Sequence, residues 1–141
     1  MEKTLLSQIQ AGQSFIVNAR RRNGVILCKP YHAEFAGPGA LIGGSLDLTC
    51  QKLVGVGKLS ILLPASPDDL HRACLIRRQW ILLTQKMTAH DDSQERARLL
   101  LTQFDNYFRG DDLASLSDEL LGQLVGTFCS TIVYARLGLE A

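Results

Sequence analysis

The chain has 141 residues, 46% of them apolar and 21% charged, with a formal net charge of +1. This suits one globular domain, or a small module joined to a second. The longest apolar runs fall far short of the roughly 20 residues that cross a bilayer, so no membrane span is expected. The charge is unevenly divided: residues 1–67 hold seven Lys/Arg against three Asp/Glu, and residues 68–141 hold eight against eleven.

The opening "MEKTLLSQIQAGQ" mixes polar and apolar groups at helical spacing and predicts a helix over Glu2 to Gln10, ended by Gly12. It has no continuous apolar stretch and no small-residue cleavage site, so a secretory signal is not expected and the cytoplasm is the expected compartment. "SFIVNA" reads as a strand. "RRRNG" follows it, and Asn23-Gly24 predicts a tight hairpin turn into a returning strand, "VILCKP". Arg20, Arg21 and Arg22 form the densest basic cluster in the chain. They read either as a solvated loop or as a basic patch for nucleic acid or an acidic protein. The glycine-punctuated run "GPGALIGGSLDLTCQKLVGVGKLSILLP" predicts further short strands, giving a β-rich module over residues 1–65.

Pro64 and Pro67 mark a change of regime. Ser66 is placed to cap a helix, Pro67 to occupy its first position, and Asp68 and Asp69 to meet its positive dipole end. A long helix is therefore expected within 66–90, reaching Thr88, with an apolar stripe wide enough for two neighbours. Trp80 lies in that helix and reads as a core residue ahead of a cofactor contact, or as a residue of a dimer seam. A second helix is expected from Asp92-Ser93 through "QERARLLLTQFDNYF", with Gly110 as its stop. Two more belong to "SDELLGQLVGTFCSTIVYARLGL", residues 117–139, which completes a helical subdomain over 91–141. There Ser117 caps, Gly122 supplies a small contact residue, Gly126 supplies the turn, and Ile132 and Ala135 face back: the skeleton of a helix-turn-helix.

Catalytic chemistry finds no support. His32, His71 and His90 stand beside no Ser or Cys nucleophile in a recognisable motif, and the pairs Asp68-Asp69, Asp91-Asp92 and Asp111-Asp112 fall where helices start. "GVGK" at Gly55 to Lys58 lacks the rest of a phosphate loop. Cys28, Cys50, Cys74 and Cys129 are scattered, with no Cys-x-x-Cys pair, and are expected to be reduced packing residues. No catalytic residue, no metal and no cofactor is assigned.

The order of these pieces resembles the Crp/Fnr family of bacterial regulators. "LIGGSLDL" at Leu41 to Leu48 is similar to the glycine-rich segment of the family's β-roll, and the helix from Pro67 to its dimerisation helix. "ERARLLLTQF" at Glu95 to Phe104 is similar to the opener of its DNA-binding domain, and residues 117–139 to its helix-turn-helix. The resemblance implies an α+β chain: a small N-terminal β-roll-like module, a long central helix, and a C-terminal helical helix-turn-helix subdomain. It implies a transcriptional regulator that binds DNA as a homodimer, with Ser130, Thr131, Tyr134 and Arg136 on the exposed face of the second helix.

The sequence also departs from the family. The β module is short, and Gly44 and Ser45 stand where nucleotide-binding members carry an acidic residue, so no cyclic nucleotide is expected. Phe128, Cys129, Ser130 and Tyr134 occupy positions where base-reading side chains are usual. From Ser117 onward Arg136 alone stands against Asp118, Glu119 and Glu140, and the family's wing does not follow. The alternative is a protein-protein adaptor that keeps the architecture and does not bind DNA.

Overall fold

The structure, a computed structural model, describes residues 2–108 and 110–140, without the side chains of residues 2, 3, 110, 139 and 140. Among the described residues the fold is α+β: six short strands in two small antiparallel sheets, a long helix, and then further helices. The chain divides between Ile81 and Leu82 into two compact units.

In the first unit, α1 (Glu2–Gln10) ends at Gly12, whose φ of 90° is the left-handed region that glycine enters at no steric cost. β1 (Ser14–Val17) pairs with β4 (Leu41–Gly43) on one side and β6 (Ile61–Leu62) on the other. β2 (Gly24–Cys28) pairs with β3 (Ala33–Ala36) and β5 (Lys52–Val56) in the second sheet. Val17, Val25, Leu27 and Ile42 are fully buried in the shared core, against Ile9 of α1.

The hairpin expected at Asn23-Gly24 is not formed: β1 and β2 lie in different sheets, and neither residue has positive φ. A long-range use of the asparagine has displaced the local turn. The Asn23 side chain is buried, its amide donating to the carbonyls of Asn18 and Arg21 while its oxygen accepts from the Ser60 N–H at 2.9 Å. The asparagine thus staples the 18–23 loop to the segment before β6.

α2 (Pro67–Thr88) starts where expected, with Ser66 Oγ accepting from Asp69 N–H. On its first-unit turns Ala73 and Arg77 are buried, and Trp80 packs edge-on against Phe35 with ring centroids 5.3 Å apart. Leu70, Cys74 and Leu75 are exposed.

The second unit contains α3 (Ser93–Tyr107), capped by Asp92, followed by α4 (Gly110–Ala114), α5 (Asp118–Val125) and α6 (Cys129–Glu140). Gly110 opens α4 and does not stop α3. The earlier helix closes at Phe108, whose N–H still reaches Phe104 while its own φ of −129° is extended. Leu100, Leu101, Leu121 and Ile132 form the core of this unit. Among the described residues no single helix is long and apolar enough to cross a membrane.

Candidate functional site

The end of the chain folds locally as its small residues dictate. Ser117 Oγ accepts the Leu120 N–H at 3.1 Å, which starts α5. Gly126 ends it with φ 68° and ψ 43°, its N–H returning to the Gly122 carbonyl. α6 leaves at 102° to α5, within the range of a helix-turn-helix. Gly122 permits this angle, because a Cβ there would stand 2.7 Å from the Thr127 carbonyl oxygen.

Arg96 of α3 fastens the turn from below. Its Nε donates to the Val125 carbonyl at 3.0 Å and its Nη2 to that of Gly126, while Nη1 reaches the carbonyls of His90 and Asp91. A cation at a helix C-terminus satisfies orphan carbonyls and opposes the dipole at once. Sequence reading gave Arg96 no role, since only the packing brings the end of α5, 29 residues on, against it.

The four residues expected on the exposed face of α6 divide. Ser130 is exposed, and Tyr134 is 68% exposed. Thr131 is corrected to a buried position, 8% exposed, because it shares the inner face with Ile132 and Ala135. Arg136 is corrected to a tethered one. Its Nε is 2.7 Å from Asp118 Oδ1, and its Nη groups donate to the carbonyls of Leu113 and Leu116. Arg136→Ala is accordingly expected to lower stability by about 1–3 kcal/mol through these lost bonds, read by chemical denaturation. Any loss of DNA affinity in that variant would have to be corrected for it.

α6 presents Val133, Tyr134 and Leu137 outward, 40%, 68% and 57% exposed, and Phe128, the residue before the helix, is 82% exposed. Among the described residues no unpaired cation lies on this face, and nearby Arg98 is held in an ion pair by Glu95. The Arg98 hydrogen bond in turn holds the Glu95 carboxyl below its ordinary pKa. Asp92, Glu95, Arg98 and Tyr134 border a recess of about 280 Å³ between the start of α3 and α6.

In the first unit, Arg20, Arg21 and Arg22 are all exposed on the loop that Asn23 holds. The glycine-rich turn after β4 is filled by the protein itself. Asp47 is fully buried, accepting from Gly43 N–H at 2.7 Å and from both Arg77 Nη atoms at 2.9 Å, with Lys29 Nζ at 3.1 Å. Burial opposes ionisation of Asp47, but the hydrogen bonds and charge of Arg77, the Gly43 N–H and Lys29 outweigh it and hold the carboxyl below its ordinary pKa. Among the described residues no cluster of His, Cys, Asp or Glu is arranged to hold a metal ion. No family model matches this chain, and no characterised protein matches it significantly.

Proposed function

We propose that this is a non-catalytic interaction protein of the cytoplasm, whose helix-turn-helix subdomain docks a protein partner through the outer face of α6. The observation that carries this reading is the composition of that face. Phe128, Tyr134 and Leu137 are exposed, where a phosphate-binding helix needs unpaired Lys or Arg. The expected result is that Phe128→Ser with Leu137→Ser abolishes binding of a partner purified from the native cytosol and reconstituted with the pure chain, while the folded state is kept. Undiminished binding by that double variant overturns it.

The second reading is a DNA-binding regulator, and the 102° crossing of α5 and α6 favours it. Here Ser130 and Tyr134 would face the groove, and the exposed arginines of the 20–22 loop would meet phosphate. A complex with duplex DNA at ~50 mM salt that weakens steeply as salt rises supports this reading over the first; no complex at that salt supports the adaptor. In both readings the chain acts as a homodimer joined along α2. On the first-unit turns of α2, Leu70 and Leu75 are exposed apolar groups that a second copy would cover.

A further inference from the structure

The first unit carries an open groove of about 470 Å³ that the partner-docking reading does not use. It runs between the end of β1 with its following loop, the segment after β6, and the first turns of α2. Its walls are aliphatic: Ile16, Leu62, Leu63 and Ile76, with Ala73 beneath. Leu62 and Leu63 remain 51% and 67% exposed, so a large part of this apolar surface faces water. Two exposed guanidinium groups, those of Arg20 and Arg72, line the same groove, and neither has an ion-pair partner among the described residues. The single carboxylate there, Asp69, already accepts a hydrogen bond from the Ala65 N–H at 3.1 Å.

A mostly apolar cleft of this size with a few convergent polar groups is the usual form of a small-molecule site. We propose that this groove binds an amphipathic carboxylate, the aliphatic chain lying against Leu62, Leu63 and Ile76 and the carboxylate meeting Arg20 and Arg72. The planar guanidinium fork matches a carboxylate in geometry as well as charge. Two cations against one engaged anion leave the groove's charge in favour of such a ligand. The site is separate from the glycine-rich turn, where Arg77 already occupies the place of a ligand on Asp47.

The full chain, labelled with ¹⁵N, is titrated with sodium octanoate and, separately, with 1-octanol and sodium acetate at constant ionic strength. The expected result is saturable amide shifts confined to residues 16–20, 39, 62–65 and 69–76, with octanol and acetate each at least about tenfold weaker. Arg20→Gln and Arg72→Gln, both at exposed positions that leave the fold intact, are each expected to weaken octanoate by about tenfold, the scale of a lost charged hydrogen bond. Non-saturating or dispersed shifts overturn the site. Octanol binding as well as octanoate overturns the role of the arginines, as does unchanged affinity in both variants. Shifts of the same amides on dilution without ligand would assign the groove to a second copy of the chain and overturn the proposal.

Discussion

Replacing Arg77 by alanine is expected to lower the stability of the chain by about 3–5 kcal/mol, the usual cost of removing one partner from a buried ion pair. The guanidinium is 1% exposed, and it is bound on both Nη atoms to a carboxylate, Asp47, that is not exposed at all. Nη1 also donates to the Leu41 carbonyl at 3.0 Å. Removing Arg77 strands Asp47 in the core with Lys29 as its remaining cation, and loosens the glycine turn that Asp47 holds through Gly43. Denaturant unfolding measures the loss. The double variant Arg77→Met, Asp47→Leu should be less destabilised than the two single changes summed, since neither charge is then left unpaired. Full additivity would show that the pair is not coupled.

The same pair sets an acid limit. Asp47 has a folded-state pKa below its unfolded one, near ~3.9, so its contribution is fully present above that value and is lost as pH falls through the folded pKa. Unfolding free energy should therefore be flat in this contribution from neutrality to about pH 5 and fall below it. The Asp47→Asn variant should be less stable at neutral pH and lose less on acidification.

The second large effect is expected at Gly43. Gly43→Ala should destabilise by about 3 kcal/mol or more, combining left-handed strain with overpacking. The residue has φ of 88°, and an added Cβ would stand 2.0 Å from the backbone oxygen of Gln13, which cannot swing aside as a side chain would. Gly43 also pairs with Ser14 in the first sheet and supplies the N–H that Asp47 accepts, so a shift there disturbs both. Gly126→Ala is the internal control. Its φ of 68° carries the strain, yet nothing lies within 4 Å of its Cβ, and a loss of only about 1–2 kcal/mol is expected. Thermal or denaturant unfolding of the two variants separates strain from collision.

The sequence by itself determined the elements whose signals are local. Ser66, Pro67 and two aspartates fix the start of α2, and Ser117, Gly122 and Gly126 fix the angle between α5 and α6. A cap or a left-handed glycine is decided by groups within a few residues of it, so reading along the chain suffices. Strand partners were not legible in this way. Asn23-Gly24 satisfies every local rule for a hairpin, but the Asn23 side-chain oxygen accepts from the Ser60 N–H 37 residues away, and only the assembled sheets bring that partner close.

The candidate site followed the same division. Periodicity put Ile132 and Ala135 on the inner face of α6, as found, because half a helical turn separates inside from outside, whereas of the residues the resemblance put outside Ser130 and Tyr134 are exposed and Thr131 is buried. What became of each charge was settled by tertiary structure alone. Arg77 reads along the chain like its exposed neighbour Arg78, and Arg136 reads like a phosphate contact, yet partners 30 and 20 residues away claim both. A long cationic side chain carries no local mark of its destination. Its fate depends on which carboxylate or carbonyl the fold places within about 3 Å, and that distance exists only once the chain has folded.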